Sequence, residues 1–446
     1  MTILYRIQTV RDSGDRLSPI GSLAMDRSDQ PHLPLIDVDV NRSCQEILGF
    51  GGAFTESACH VLSRLPDSER QNVLRAYFHP DDGIGYRLAR THINSCDFSL
   101  ENWSCWDAPG ADLDLSRYEK AIFPIIREAQ GMAATPIRLL ASPWSPPAWM
   151  KTNGQMTQGG YLLPAYRNAW AEAICDWTRG CEQAGIDIWG LTVQNEPAAT
   201  QVWESCLYSA EEERGFVRDH LGPALHGAGL DHLRLLIWDH NRDLVFERAQ
   251  AVLSDPQAAR YIWGTGIHWY SGDQFENLDR LHRAFPDKHL LFTEGCWEGG
   301  VKPGRWDRGE RYAHHIIGDL NNWTEGWLDW NLVLDQHGGP NHVGNWCDAP
   351  IIVDTEQRTW TRQSSYWYIG HFSRYMHPGA RRLFSTQADN GLESVAARNP
   401  DGGVVVVICN AGGEPLTAAL RIDGVWTELT VPAHAIQTLL TPRLQH

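Results

Sequence analysis

The stretch PAYRNAWAEAICDWTRGCEQAGIDIWGLTVQNEP, residues 164–197, contains the unit that decides the fold. Over 164–185 the apolar residues follow a helical pattern, and Gly185 is a typical helix stop signal. The short apolar run 188–194 follows at once and predicts a buried strand that leads into a polar Asn-Glu-Pro sequence. A helix that feeds directly into such a strand is typical of βαβ units with parallel strands.

The same alternation recurs along the chain. Short apolar, β-branched or aromatic runs predict eight strands, at 47–54, 84–93, 136–141, 188–194, 233–238, 264–270, 289–293 and 327–334. Helical patterns lie between them, and one of these is SRYEKAIFPIIREAQ at 116–130. Eight such repeats place the chain in the α/β class and predict a closed (β/α)8 TIM barrel.

The two ends of the chain follow a different pattern. After Met376 the sequence reads as short strands separated by turns, and NPDGG at 399–403 is a strong turn signal. The first part of the chain also lacks a helical period. We therefore expect a barrel over 46–376, and an antiparallel β-sandwich side domain built from both termini, residues 1–45 and 377–446.

Composition narrows the class of protein. The 446 residues carry a formal charge of −17 and show no cluster of Lys and Arg, so nucleic acid is not an expected partner. No apolar run approaches the length of a membrane span, and no apolar leader precedes the first strand. The ten cysteines are scattered without a CxxC pair, which favours reduced, mostly buried thiols and a cytoplasmic location. The sequence does not indicate an oligomeric state.

The candidate site residues follow the predicted strands, because the active sites of such barrels lie at the carboxyl ends of the strands. They combine two glutamates with aromatic, amide and imidazole side chains: Asp97, Trp144, Asn195, Glu196, His268, Tyr270, Glu294 and Trp330. We find no compact metal-binding cluster among the strand ends, so neither a metal nor another cofactor is expected. Paired carboxyls with aromatic and amide side chains are typical of glycoside cleavage. One carboxyl would protonate the leaving oxygen while the other attacks the anomeric carbon.

Each candidate also has a simpler interpretation. Glu196 alone could be a carboxylate at a helix N-terminus, and Glu294 alone could be a buried ion-pair partner. His268 could be a core histidine or one that supports another side chain. The tryptophans Trp144, Trp297 and Trp330 could be core residues. Three further carboxylates near strand ends are more typical of salt bridges or sugar-hydroxyl contacts: Asp97, Asp239 and Asp335. The pair Glu196 and Glu294 on strands 4 and 7 is more specific than either member.

Several longer motifs carry a family resemblance. They are GFGGAFTESA (49–58), LLASPWSPPAWMKTNG (139–154), LTVQNEP (191–197), TEGCW (293–297), GGPNHVGNWCDAPIIVD (338–354) and NPDGGVVVVICN (399–410). At these motifs the chain resembles glycoside hydrolase family 30, which includes the glucosylceramidases. The resemblance implies a retaining mechanism with Glu196 as acid/base and Glu294 as nucleophile. It also implies sugar binding by Asp97, Trp144, Asn195, Tyr270, Trp330 and Asn345.

The resemblance leaves the leaving group open. QNEP stands where animal glucosylceramidases carry ENEP, and TEGCW with Glu298 close behind differs from their strand-7 loop. We expect hydrolysis of terminal β-D-glucosides from a carbohydrate or glycolipid substrate. The alternatives are a β-1,6-glucanase, a β-xylosidase or β-fucosidase, a metal-dependent hydrolase on the same barrel and a non-catalytic carbohydrate-binding protein.

Two geometric expectations follow from a retaining mechanism. The carboxyls of Glu196 and Glu294 should lie about 5–5.5 Å apart. At that range their mutual repulsion should raise the pKa of Glu196 while Glu294 stays charged.

Overall fold

The computed structural model describes residues 2–29 and 31–442. Strands in these ranges are β1 (Thr2–Val10), β2 (Ser18–Met25), β3 (Leu35–Ile47), β4 (Gly49–Ala53), β5 (Leu88–Ile93), β6 (Arg138–Pro143), β7 (Ile188–Thr192), β8 (Arg234–Asn241), β9 (Gly264–His268), β10 (His289–Glu294), β11 (Thr324–Asn331), β12 (Val333–Asp335), β13 (Ile351–Asp354), β14 (Thr359–Arg362), β15 (Ala380–Ser385), β16 (Glu393–Arg398), β17 (Val404–Asn410), β18 (Leu416–Ile422), β19 (Val425–Val431) and β20 (Ala435–Leu440).

Helices alternate with the strands of the central part of the chain. They are α1 (Glu56–Ser63), α2 (Asp67–Phe78), α3 (Phe123–Met132), α4 (Arg167–Gln183), α5 (Ala210–Phe216), α6 (Gly222–Gly227), α7 (Val245–Leu253), α8 (Pro256–Ala259), α9 (Phe275–Ala284), α10 (Asp307–Asn321) and α11 (Ser364–Ser373). None of the helices in the described ranges is both long and apolar enough to cross a membrane.

Strands β4 to β11 close into a barrel in which every neighbouring pair is parallel. All eight strands predicted from the sequence are present, so the (β/α)8 prediction is confirmed. The first of them, β4, is rich in glycine because the neighbouring strands approach its backbone closely. A Cβ atom on Gly51 would lie 1.8 Å from the carbonyl oxygen of Leu88 on β5, a separation that no side chain could occupy.

Two segments differ from their predicted form. The helix expected at 116–130 begins with a π-helical turn, Tyr118–Ile122, ahead of α3; Pro124 lies in the first turn of α3, where its missing N–H is tolerated. The strand expected at 327–334 divides after Asn331. Its last part forms β12, which pairs with β13 in a small sheet, β12-β13-β14, that the sequence analysis missed.

The side domain is one nine-stranded sheet in the order β19-β18-β3-β15-β16-β17-β20-β1-β2. It draws strands from both ends of the chain, as predicted. All its pairs are antiparallel except β3 with β18, which are parallel. Helix α11 joins this domain to the barrel, because the ring nitrogens of the buried His371 lie 2.8 Å from Thr438 Oγ1 and 2.9 Å from Thr9 Oγ1.

All ten cysteines are free thiols. Nine are buried and Cys44 is partly exposed. This agrees with the mostly buried thiols that the scattered spacing indicates.

Candidate active site

The carboxyl end of the barrel gathers the side chains that the sequence placed after the strands. One cavity there is lined by eight of the nine candidates: Asp97, Trp144, Asn195, Glu196, Tyr270, Glu294, Trp330 and Asn345. The ninth, His268, is fully buried behind Glu196 and does not line the cavity. The structure therefore brings the whole predicted set to one end of the barrel, and gives His268 the supporting position that its simpler interpretation allowed.

The backbone around Glu196 is held in an uncommon conformation. Its φ is +46°, a left-handed value that is unusual for a glutamate. The N–H of Glu196 donates to the carbonyl of Asp239 at 3.0 Å, and the N–H of Asn195 donates to the carbonyl of Pro143 at 2.8 Å. Asp239 itself has φ +49°. Neighbouring strand ends thus fix one another, which aims the Glu196 carboxyl into the cavity.

Arg90 lies in the middle of β5 and is fully buried, and it contacts several site residues from inside the barrel. Its guanidinium donates to Glu294 Oε2 at 2.6 Å, to Asp239 Oδ2 at 2.8 Å and to Asn195 Oδ1 at 2.9 Å. The rigid, planar guanidinium suits this task, because its N–H groups bind several acceptors in fixed directions at once. Arg90 therefore sets the orientation of Glu294 and Asn195 together.

Glu294 is held on both of its oxygens. Arg90 donates to Oε2, and the Tyr270 hydroxyl donates to Oε1 at 3.0 Å. Burial raises the pKa of Glu294, while the cationic His268 and Arg90 oppose that rise. Two donors on one carboxylate favour its ionised form and fix its direction, which is the arrangement that a nucleophile requires.

Glu196 faces two imidazoles. Its Oε1 lies 3.1 Å from His268 Nδ1 and 3.5 Å from His240 Nδ1. Burial would raise the pKa of Glu196, but His240 and the hydrogen bond with His268 outweigh it and lower the pKa to about 2. Burial lowers the pKa of His240 itself, so His268 is the charged partner of Glu196 at neutral pH. The expectation of a raised pKa on Glu196 is therefore wrong for the free protein, because spacing along the chain does not reveal the two imidazoles beside this carboxyl.

His268 carries the proton that the sequence analysis placed on Glu196. Burial would lower the pKa of His268, but Glu294 and the hydrogen bonds to Asp239 and Glu196 raise it to about 9. The same Nδ1 atom lies 3.1 Å from Glu196 Oε1 and 4.0 Å from Glu294 Oε1. Glu196 Oε1 and Glu294 Oε1 therefore lie no more than about 7.1 Å apart, a bound that agrees with the expected separation of about 5–5.5 Å, and that separation stays a prediction.

Two indole rings form one wall of the cavity. Trp144 and Trp330 stack with ring centroids 5.1 Å apart and an interplanar angle of 18°. The guanidinium carbon of Arg90 lies 4.8 Å from the Trp144 ring centroid. Both tryptophans are almost fully buried and also line the cavity, so they are core residues at its wall, and their sugar-binding role stays a prediction.

Asp97 and Asn345 meet at another side of the cavity. The Asn345 side-chain amide donates to Asp97 Oδ2 at 3.2 Å. Burial and the nearby Glu294 raise the pKa of Asp97 to about 8. Asp97 is therefore a mostly neutral carboxyl at pH 7, able both to donate and to accept a hydrogen bond with a sugar hydroxyl.

Asp239, Asp335 and Trp297 do not line the cavity. Asp239 is a buried salt-bridge partner of Arg90, as its simpler interpretation predicted. Asp335 accepts hydrogen bonds from the N–H groups of His337 and Gly339 within its own loop. Trp297 is partly buried and packs against the hydrophobic core.

Two residues that shape the site, Arg90 and His240, were not predicted from the sequence. Arg90 is a charged residue inside a predicted strand, and such a residue must find buried partners. His240 lies two residues after the predicted strand 233–238, so its place after a barrel strand is the signal that could have found it. Further missed lining residues are Gln201, Trp203, Asn241, Cys296 and Cys347.

Comparison with known proteins identifies the family of both domains. The model of the glycosyl hydrolase family 30 TIM-barrel domain matches residues 47–376, and that of the family's beta sandwich domain matches residues 379–439. The lysosomal acid glucosylceramidase of Mus musculus is 36% identical, over 92% of this chain and 84% of that protein. The endo-1,6-beta-D-glucanase of Neurospora crassa is 31% identical, over 89% of this chain and 86% of that protein.

Solved structures show the same likeness. The crystal structure of SrfJ from Salmonella typhimurium matches with a TM-score of 0.95 and 36% identity, covering 99% of this chain and 100% of that one. The two family models together account for the barrel and for most of the C-terminal part of the side domain. This chain is a glycoside hydrolase and belongs to glycosyl hydrolase family 30.

Proposed function

We propose that the enzyme is a retaining β-glycosidase that hydrolyses terminal β-D-glucosides by double displacement. The observation that carries the proposal is the arrangement of the two glutamates. Glu294 is held on both oxygens by Arg90 and Tyr270, as a nucleophile must be, and Glu196 faces the same cavity beside a charged imidazole.

The first step is attack of Glu294 on the anomeric carbon. The bond from that carbon to the leaving oxygen breaks, and Glu196 delivers a proton to the oxygen. In the free enzyme this proton lies on His268, so it must move to Glu196 across a distance of 3.1 Å. The Glu196–His268 pair is therefore the acid of the reaction, with Glu196 as the member that touches substrate.

The second step hydrolyses the glycosyl ester on Glu294. Esterification removes the negative charge of that carboxylate, and Glu196, now ionised, accepts a proton from the attacking water. The hydroxyl of that water joins the anomeric carbon from the side that the leaving group vacated. Two inversions give a product with the configuration of the substrate.

The cavity favours a single terminal sugar. It occupies about 140 Å³, well below the range of about 300–1,000 Å³ that is typical of drug-sized ligands. Stacked Trp144 and Trp330 can face a sugar ring, while Asp97, Asn195 and Asn345 can bind hydroxyls. A small pocket supports exo action more than cleavage inside a polymer, which needs a long open cleft.

The polar lining of the cavity supports a polar aglycone. Gln201, His240, Asn241 and Glu298 line the cavity beside the groups assigned to the terminal sugar. These groups suit a second sugar at least as well as a ceramide. The glucanase relative makes β-1,6-linked glucose the second candidate substrate class, beside the glucosylceramide suggested by the mouse relative.

A substrate panel tests the proposal. We expect the largest kcat/KM for nitrophenyl β-D-glucoside among the glucoside, xyloside, galactoside and fucoside, with glucose released as the β-anomer. Gentiobiose, glucosylceramide in detergent and a long β-1,6-glucan then separate the aglycone classes. Release of oligosaccharides from the long glucan ahead of glucose would instead establish endo action, and release of α-glucose would exclude retention.

We further propose that the enzyme works in a reducing compartment such as the cytoplasm. Ten free thiols, nine of them buried, support this. Thiol titration of the protein, purified without reductant and then denatured, should count about ten.

A further inference from the structure

The ends of β7, β8 and β9 bring three metal-binding side chains together. One ligand atom from each of Glu196, His240 and His268 lies within 4.8 Å of the other two. The proposed reaction uses Glu196 and His268 for proton transfer, and the imidazole of His240 takes no part in that transfer. The expectation of no compact metal-binding cluster among the strand ends is therefore wrong, because barrel closure, and not spacing along the chain, brings these three side chains together. The group as a whole has a capacity beyond glycoside cleavage.

We propose that Glu196, His240 and His268 form a binding site for a divalent transition-metal ion of the zinc type, and that the bound ion inhibits the enzyme. The ligand set is two imidazole nitrogens and one carboxylate oxygen, the same set that several zinc enzymes use with a fourth position left open. Here the ion would be a reversible ligand, and catalysis itself would not need it.

The spacing of the ligand atoms fits such an ion. Glu196 Oε1 lies 3.1 Å from His268 Nδ1 and 3.5 Å from His240 Nδ1. A tetrahedral Zn²⁺ with bonds of about 2.0–2.1 Å requires ligand atoms about 3.3 Å apart. The two observed distances lie on either side of that value, and the third, between the two imidazole nitrogens, is at most 4.8 Å. Ion binding would therefore require the two rings to approach each other by no more than about 1.5 Å.

His240 supplies an unused ligand atom. Its Nδ1 is buried and has no hydrogen-bond partner among the described residues. A buried polar atom without a partner carries a desolvation penalty. Coordination by a metal ion would satisfy it, which separates this site from a chance cluster of surface groups.

His268 is already oriented as a metal ligand. Its Nε2 lies 3.0 Å from Asp239 Oδ1, and Asp239 is anchored in turn by Thr293 Oγ1 at 2.6 Å and by Arg90 at 2.8 Å. A carboxylate behind a histidine fixes the ring and directs its other nitrogen at the metal. The ion would replace the proton on Nδ1, so binding releases that proton.

The consequence for activity follows from Glu196. A carboxylate oxygen bound to a metal ion cannot protonate the leaving oxygen. Glu196 and His240 both line the cavity, so an ion bound between them would take up space that the glycosidic oxygen needs during the reaction. The ion and the substrate therefore compete for the same space, and inhibition should raise KM while kcat at saturating substrate stays unchanged.

A second cluster offers a matched comparison. Asp273, His314 and His315 also bring ligand atoms within 4.8 Å of one another. There, however, Arg242 Nη1 lies 3.2 Å from His315 Nδ1, and Arg311 Nε lies 3.2 Å from His315 Nε2. Two guanidinium groups against one imidazole oppose a cation, so we expect no tight metal site at that cluster.

The experiment measures binding and inhibition separately. Zn²⁺ is titrated into the metal-free enzyme by calorimetry, and Co²⁺ is followed by its visible absorption. We expect one tight site, a tetrahedral Co²⁺ spectrum that Zn²⁺ displaces, and competitive inhibition that a chelator reverses. These binding signals do not depend on which glycoside the enzyme prefers, so failure of the substrate proposal would leave them intact.

The variants His240→Asn and His240→Gln test the ligand set, with His314→Asn as the control. Loss of a group that only hydrogen-bonds a metal ligand typically weakens binding by about 10–100-fold. Loss of the ligand His240 itself should therefore raise the Kd for Zn²⁺ by at least that factor. Each variant's inhibition is compared with its own metal-free activity, and circular dichroism checks its fold. The proposal is overturned if the parent enzyme shows no tight site, or if binding survives both His240 variants or is abolished in His314→Asn.

Discussion

The two ends of the same barrel are built on opposite chemistry. Near the amino end the interior holds a cluster of leucines: Leu48, Leu88, Leu140, Leu236, Leu291 and Leu328. Near the carboxyl end it holds the buried charges of Arg90, Asp239, His268 and Glu294. Leu88 and Arg90 are two residues apart on β5, so they lie on the same face of one strand. A single step along the barrel thus replaces an apolar layer with an ionic one.

The difference separates stability from function. Burying a leucine contributes about 1.5–3 kcal/mol by removing apolar surface from water. A buried ion pair contributes little net stability, because desolvation offsets most of the attraction. The leucine cluster therefore holds the strands together, while the charged layer is retained for the chemistry that it performs. Substitutions at the two ends should fail in different ways, and the following predictions test that division from the largest effect to the smallest.

The largest effect is expected for Glu294→Gly. Removal of the nucleophile should lower kcat/KM by about 10⁴-fold or more on every substrate. The fold should persist, because Asp239 still pairs with Arg90. Added azide should restore part of the activity and give a glycosyl azide of inverted configuration, which NMR identifies.

The control for this variant is Asp335→Asn, which removes a carboxylate from a loop outside the cavity. It should change kcat/KM by less than about tenfold. If Glu294→Gly retains activity, or if its azide product has the configuration of the substrate, the nucleophile has been assigned wrongly.

A smaller effect is expected for Glu196→Gly. Loss of general acid–base catalysis typically costs about 10²–10⁴-fold. That cost should appear in kcat/KM for substrates with poor leaving groups and largely disappear with a dinitrophenyl glucoside, whose leaving group needs no proton. Azide should now yield the β-glycosyl azide with retention. Equal losses on good and poor leaving groups would contradict the acid/base role.

The amino end should respond through stability. Leu236 on β8 is fully buried, and Leu236→Ala should lower the free energy of unfolding by about 2–5 kcal/mol. Its kcat/KM per folded molecule should match the parent enzyme. Denaturant titration measures the first quantity, and activity at low temperature measures the second. Leu244→Ala, at a position 48% exposed, is the control and should change stability by less than about 0.5 kcal/mol. A large loss of activity in Leu236→Ala would contradict the proposal that the amino end serves stability and the carboxyl end serves catalysis.

The same division explains what the sequence could predict. The eight strands follow from apolar runs, and the site residues follow from their places after those runs. Such information is local, because it depends only on spacing and on the rule that barrel sites lie at carboxyl ends. The small sheet β12-β13-β14 escaped because its strands are three or four residues long and pair only through the tertiary fold.

The electrostatics of the site depend on contacts between distant segments, and the pKa prediction made from the sequence was wrong for that reason. The pKa expectation for Glu196 considered one partner, Glu294. In the structure His240 and His268 decide the charge of Glu196, and Arg90 holds Glu294 from a strand more than 200 residues earlier. Strand register and barrel closure decide which side chains are buried together. Spacing along the chain reveals neither of them.

The smallest effect concerns the pH dependence of stability, and it arises from Asp97 at the carboxyl end. Burial and Glu294 raise the pKa of Asp97 from 3.8 to about 8 in the folded state. Between these values the folded protein holds a proton that the unfolded chain has released, so this contribution to stability is complete below pH 3.8 and is lost as pH rises through about 8. Asp97→Asn keeps the neutral shape and an acceptor for Asn345 but cannot ionise. We therefore expect the melting temperature to fall less between pH 6 and pH 9 in the variant than in the parent, by a few degrees at most. Leu236→Ala supplies the contrast, because loss of apolar burial should lower the melting temperature equally at both pH values. If Asp97→Asn follows the parent at both pH values, Asp97 is already ionised at neutral pH, and the charged layer would then be more hydrated than its burial implies.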